Sequence, residues 1–291
     1  MLIVPYFQHA CTRAFHPSRF VPSSDLIVSS SRDKLIKVWD TTTGYDAHVR
    51  MLSFFSRSLH IFLCLTEFSP NHLRPPCRFC VRTLTGHDNW VRRIRVSPCG
   101  QSVVSTSSDQ TMRLWNLKTG TCAHVWRPHE HVIDCVAFSN APADAILLAA
   151  QDADRGKDAS ASASASVSAS ASASSGSAAA APSGGQFIAT GARDKSICIT
   201  RVDSGACVMT LTGHDSWVRG LLFHPSGRFL LSCSDDKTIR AWDLTKQGRC
   251  VRRLEAAHET FVTALDFASG KAAQALASVG ADSTLRIWEC V

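Results

Sequence analysis

Tyrosine is nearly absent, with 2 copies in 291 residues, whereas 7 Trp and 14 Phe are present. No apolar run reaches the roughly 18 residues that a membrane-spanning helix needs. The greasiest stretch, Ser58 to Phe68, contains His60, and no membrane span is expected. Met1 to Phe7 has no basic flank and no full apolar region, so no secretory signal is expected. The 12 Cys are scattered and read as reduced thiols of an intracellular protein, many of them small core residues. Cys77-Arg-Phe-Cys80 has no second pair beside it, so no metal site is expected. Glycine-rich phosphate loops and paired-histidine zinc motifs are missing, so no cofactor is expected. Charge of one sign does not dominate: 31 Lys plus Arg against 24 Asp plus Glu give a net +7. That excess favours an acidic partner surface and falls short of a nucleic-acid-binding signature. Apolar residues make up 45% of the chain, which supports a core and excludes global disorder.

The Trp residues recur at one kind of position. An Asp is followed six residues later by Trp in Asp33/Trp39, Asp109/Trp115, Asp236/Trp242 and Asp282/Trp288. A fifth copy, from Asp194 to Thr200, keeps the frame and loses the Trp. A His precedes each Asp by a near-constant interval: 22 residues for His87/Asp109 and His214/Asp236, 24 for His258/Asp282 and His9/Asp33. Later Asp-to-Asp steps are 42 and 46 residues. Two earlier steps are much longer and hold inserts. One lies at 46–79, matches no repeat and is greasy for a solvent loop; it reads as a translated intron or gene-model error. The other, 141–184, carries an Ala-Ser alternation and is expected to be a disordered loop. The chain then divides into a degenerate first repeat (1–45), the insert 46–79, and repeats at 80–120, 121–205, 206–248 and 249–291.

Within a repeat, apolar residues alternate with polar ones in four short strands: around His87 these are Val81–Leu84, Val91–Val96, Ser102–Ser105 and Thr111–Asn116, punctuated by turn residues. A period near 42 with four strands, Gly-His and Trp-Asp dipeptides reads as a propeller blade. One blade cannot bury both faces, so blades must stack. The expected fold is all-β, about five four-stranded blades. In each, His, Asp and Trp (His87, Asp109, Trp115; His214, Asp236, Trp242; His258, Asp282, Trp288) are expected to form a buried polar latch through a strand Ser, either Ser105 or Ser107 and either Ser232 or Ser234. A catalytic His-Asp-Ser reading is disfavoured because the set recurs in every blade. No catalytic residue is assigned. The blade holding Thr200 should be the least well locked and the most mobile.

Turns between the second and third strands and loops after the Gly-His dipeptides open on one rim. Residues projecting there are Arg32, Trp90, Arg92, Arg193, Trp217, Arg219, Lys237 and Phe261. Trp and Arg dominate binding hot spots, and Arg grips carboxylates in two-pronged contacts. The simpler alternative is that these cations are solvated and the indoles cover neighbouring blades.

The segments LTGHDNWVRRI, SSSRDKLIKVWD, EHVIDCVAF, ARDKSICI and LTGHDSWVRGLLFHPSGRFLLSCSDDKTIRAWD resemble the WD-repeat family. With AAHETFVTALDF and DSTLRIWEC they resemble, more narrowly, the lissencephaly-type nuclear-distribution proteins that regulate cytoplasmic dynein. The resemblance implies seven repeats, and five are countable here, so an incomplete or open ring is expected. The family's dimerisation helices and coiled coil are not expected in this sequence. Leu2 to Phe7 could close the ring as an outer strand. The resemblance also implies that the dynein motor domain is contacted by Arg32, Arg92, Arg193, Trp217 and Lys237, with Trp90, Arg219 and Phe261 as further rim positions. It implies a non-catalytic, cytoplasmic, microtubule-associated role, with acetylhydrolase catalytic subunits as a further partner. The alternative is a generic WD-repeat scaffold, such as a substrate receptor in a ubiquitin ligase or a chromatin-complex subunit.

Overall fold

The computed structural model describes residues 15–22, 24–40, 49–51, 64–66, 80–159, 184–267 and 275–289. His9, Cys77 and the proposed closing segment Leu2 to Phe7 lie outside the described residues.

Five antiparallel sheets follow one another along the chain. The first holds β1 (Phe15–Phe20), β2 (Leu26–Ser31) and β3 (Ile36–Asp40). After a small pair formed by β4 (Val49–Met51) and β5 (Cys64–Thr66), β6 (Cys80–Leu84) returns to the edge of that first sheet. The strand before each Gly-His therefore completes the preceding blade, one strand out of step with the sequence repeat. Outer strands Cys80–Leu84 and β10 (Cys122–Trp126) sit beyond β3 and β9 (Met112–Asn116) respectively. The second sheet begins with β7 (Val91–Val96) and β8 (Ser102–Ser107). The third runs β11 (Ile133–Phe138), β12 (Phe187–Ala192), β13 (Ile197–Arg201) and β14 (Cys207–Leu211). The fourth runs β15 (Val218–Phe223), β16 (Phe229–Ser234), β17 (Ile239–Asp243) and β18 (Arg249–Leu254). The fifth has three strands among the described residues: β19 (Val262–Phe267), β20 (Ala275–Gly280) and β21 (Leu285–Glu289). Its edge leaves Leu285 53% and Ile287 69% exposed. Among the described residues the architecture is an array of five propeller blades.

The second strand of each of the first four blades is buried on both faces, as LIVSSS, SVVSTS, FIATGA and FLLSCS show, whereas in the fifth one face is partly open, with Val279 exposed. Alternate side chains pack against the blades on either side. Val28, Ile36, Val91, Ile94 and Trp115 join the first two sheets, while Cys135, Leu221, Phe187 and Trp242 join the third and fourth. Each stacking layer removes both partners' apolar faces from water, worth about 25 cal/mol per Å2 buried.

The insert read as a disordered loop over 141–184 is in part a helix. Helix α1 spans Ala141–Ala159. Asn140 accepts from Ala143 N–H at 3.0 Å, and Pro142 stands in the first turn, where its missing donor costs nothing. Ala143 and Leu147 are fully buried in the layer between the third and fourth sheets. Asp144 is buried and accepts from Ser139 Oγ and, at 3.2 Å, from Gln186 N–H. Burial raises its carboxyl above the usual range against those hydrogen bonds. The helix has the apolar anchors that the Ala-Ser tract beyond it lacks. Residues 160–183 lie outside the described residues.

A candidate protein-docking rim

The rim is built on the latches. In the second blade His87 Nδ1–H donates to Asp109 at 2.8 Å, and Ser105 Oγ stands 2.7 Å from His87 Nε2. Trp115 Nε1–H donates to the same Oγ at 2.8 Å. The fourth blade repeats this with His214, Asp236, Ser232 and Trp242 at 2.7, 2.7 and 2.8 Å. The fifth does so with His258, Asp282, Ser278 and Trp288. The linking serines are thus Ser105 and Ser232; Ser107 and Ser234 instead cap the turn, accepting from Asp109 and Asp236 N–H. Burial alone would raise the Asp109 carboxyl, but hydrogen bonds from His87 and Thr111 outweigh it and hold the group far below the usual carboxylate range. The same balance, with His214 and Thr238, depresses Asp236. In the third blade His129 bonds Asp194 at 2.8 Å and Thr190 Oγ1 at 3.0 Å, and Asp194 is held at about 2. That latch has no indole, since Thr200 occupies the position.

The latched carboxylate sets the turn, and the turn sets the rim. The residue after each Asp (Lys34, Gln110, Lys195, Lys237, Ser283) has a positive φ between 62 and 74°. Lys34, Lys195 and Lys237 project into solvent there. One residue before the Asp, a backbone N–H reaches the loop after the His: Ser108 to Trp90, Arg193 to Val132, Asp235 to Trp217 and Ala281 to Phe261, at 2.8–3.0 Å. That repeated bond places Trp90, Trp217 and Phe261 at equivalent sites, and all three are exposed.

Guanidiniums of neighbouring blades cover the two indoles. Arg32 and Arg92 lie 4.7 and 5.4 Å from the Trp90 ring centroid. Arg193 and Arg219 lie 4.1 and 5.0 Å from that of Trp217. Between the two stacks sits Asp134, 7% exposed on β11. It is 2.9 Å from Arg193, 3.5 Å from Arg219 and 3.7 Å from Arg92. Arg219 also holds Asp235 by two bonds of 2.7 Å, which raises its pKa. Burial lowers Arg92; Asp134 opposes this, while Arg193, Arg32 and Arg219 add to it. Four guanidiniums thus face two carboxylates, leaving a cationic excess fixed on two aromatic platforms.

The expected rim residues divide accordingly. Arg32, Trp90, Arg92, Arg193, Trp217 and Arg219 form the stacked cluster. Lys237 stands in its own turn, its carbonyl accepting from Ala257 N–H at 3.0 Å, and Phe261 is exposed with no cation stacked on it among the described residues. Asp134 was missed by sequence reasoning. Aligning HVIDC with NWVRR and SWVRG shows the signal: an acid stands where Arg92 and Arg219 stand in adjacent blades. Among the described residues no His, Cys, Asp and Glu group has metal-site geometry, and no helix is long and apolar enough to cross a membrane.

The family model described as WD domain, G-beta repeat matches residues 10–40, 78–116, 205–243 and 248–289. The chain belongs to the WD40 repeat family. The match passes over the first three strands of the third blade, where α1 splits the first two strands and Thr200 replaces the Trp, yet the third sheet of this WD40 chain is formed. The chain is 37% identical over 262 residues to nuclear distribution protein PAC1-2 of Uncinocarpus reesii, covering 87% of this chain and 44% of that protein. It is 36% identical over 318 residues to nuclear distribution protein PAC1 of Gibberella zeae, covering 88% and 63%. It is also 36% identical over 253 residues to nuclear distribution protein nudF 1 of Talaromyces marneffei, covering 86% and 43%. The chain spans less than half the length of the first relatives it matches.

Proposed function

We propose that this WD40 chain is a non-catalytic docking module that binds the motor domain of cytoplasmic dynein, in microtubule-based transport and nuclear positioning. Arg32, Arg92, Arg193, Trp217 and Lys237 make the contact, with Trp90, Arg219 and Phe261 flanking it. The observation that carries this reading is the stacked cluster: cations preset on indoles and netted by Asp134, with charge left over for an acidic partner. Preset side chains lose little entropy on binding, and Arg and Trp are the residues whose truncation costs most at interfaces. The resemblance to the lissencephaly-type proteins and the names of the relatives support the choice of partner. The reading places the chain in the cytoplasm beside microtubules, with acetylhydrolase catalytic subunits as a second partner.

The test is binding of purified motor domain to the wild-type chain and to a Trp217→Ala, Arg193→Ala double variant. Each substitution is expected to cost about 2 kcal/mol, so affinity falls by roughly a thousandfold in the pair. Both side chains lie at the rim, so the far-ultraviolet spectrum stays unchanged. Wild-type affinity in the double variant refutes the assignment.

A further inference from the structure

A cysteine recurs on the outer strand of four blades. It pairs with the Trp position in each: Cys80 with Trp39, Cys122 with Trp115, Cys207 with Thr200 and Cys250 with Trp242. Two residues before that position, three of these blades carry a cation: Lys37, Arg113 and Arg240. Lys37 lies over the Trp39 ring at 5.6 Å, and the charge of Arg113 favours the Cys122 thiolate against the burial that raises its pKa. In the third blade both positions change together. Thr200 replaces the indole and Cys198 replaces the cation, so the recurrent outer cysteine meets a thiol. The two sulfurs are 2.8 Å apart. Cys207 is exposed and Cys198 buried.

We propose that Cys198 and Cys207 are a modification site: a cross-strand dithiol that hydrogen peroxide oxidises reversibly to a disulfide. The exposed Cys207 is the sulfur that peroxide reaches. Its thiolate attacks one peroxide oxygen, the O–O bond breaks, and the departing hydroxide takes up a proton as water. The sulfenic acid so formed on Cys207 is attacked by the Cys198 sulfur. The S–S bond forms, the S–O bond breaks, and the hydroxyl leaves as water with the Cys198 proton. Overall two thiols and one peroxide give one disulfide and two waters. Burial, reinforced by the neighbouring Cys207, pushes the Cys198 thiol up to about 12, so the first attack falls to Cys207. Cys207 pairs with Thr200, so the two cysteines lie diagonally across β13 and β14, and it is their sulfur separation that brings the thiols within reach of one another. The bond ties β13 to β14 in the one blade of this set that lacks the indole.

Trypsin separates the two cysteines, since Arg201 lies between them. The purified chain is treated with hydrogen peroxide, its remaining thiols are alkylated, and the digest is read by mass spectrometry. The expected product is peptide 196–201 joined to peptide 202–219, two hydrogens lighter than the pair. Its yield should exceed any other cysteine pair by about tenfold, and dithiothreitol should abolish it. Cys198→Ser and, on the exposed side, Cys207→Ser should each remove it. The proposal is overturned if Cys207 ends as a sulfinic acid, joins another cysteine, or stays a free thiol while the 196–201/202–219 link is absent.

Discussion

Replacing Ser232 by Ala deletes one oxygen atom, yet the latch geometry makes it an expensive change. Asp236 can only accept, so His214 Nδ1 carries the proton that spans their 2.7 Å contact. His214 Nε2 is then an acceptor and takes the Ser232 hydroxyl proton at 2.7 Å. The Trp242 indole N–H donates to the same oxygen at 2.8 Å. Ser232, His214 and Trp242 are all buried, so no water replaces the lost hydroxyl. Ser232→Ala therefore orphans one donor and one acceptor together. At about 1–3 kcal/mol for each unsatisfied group, the loss is about 2–6 kcal/mol, or roughly thirtyfold or more in the opening equilibrium of the fourth blade. Hydrogen exchange of amides in 229–243 reads that factor directly, and it avoids assuming that all blades unfold together. An exposed control, Ser204→Ala, should change exchange by less than about 0.5 kcal/mol. In a Trp242→Phe background the same serine substitution should cost about 1 kcal/mol less, because no indole donor is left to orphan. Exchange within the control's range, or no coupling to Trp242, would refute the latch argument.

Two further outcomes follow from the same geometry, beside the rim and dithiol tests above. Asp194 is held at about 2, and Asp109 and Asp236 lie lower, against roughly 4 for an unfolded carboxyl. Depressed folded values stabilise fully above the unfolded value, and that contribution is lost as pH falls through the folded ones. Stability from urea titrations should therefore be level from about pH 7 to 5 and drop between about pH 4 and 2, with a shallower drop in Asp236→Asn. Leu147→Ala should cost about 2–4 kcal/mol and speed exchange across 141–151, because Leu147 is fully buried between the third and fourth sheets. An unchanged stability would mean that α1 is not docked there.

Much of this fold was legible because one pattern repeats. The Asp-to-Trp frame and its upstream His identify the turn, the latch and the strand that carries the indole, and buried second strands such as SVVSTS follow from blade stacking. Sequence could not choose between Ser105 and Ser107, because residues two apart on a strand present the same face and differ only in their distance from the turn. It located the rim cations but not their pairing: that Arg32 covers Trp90 and Arg193 covers Trp217 depends on how one blade's turn abuts the next. Helix α1 was hidden by the Ala-Ser tract that follows it, although Asn140 and Pro142 are cap signals and Leu147 is an anchor.

The third blade carries the centre of the rim. Asp134 and Arg193 both come from it, one from the inner strand and one from the turn, and Asp134 bridges to Arg92 of the second blade and Arg219 of the fourth. Its own latch nevertheless lacks the indole that braces the second and fourth. Opening this blade would remove the carboxylate that gathers three guanidiniums, leaving Arg92 and Arg219 to repel one another across the gap. Rim geometry and third-blade stability are thus one equilibrium, and a ligand that holds the closed rim must stabilise that blade by mass action. Any partner that docks on the stacked cluster should accordingly slow exchange at buried third-strand amides in 197–201, which lie away from the contact itself. Protection confined to the rim loops would show that the blade and the rim move independently.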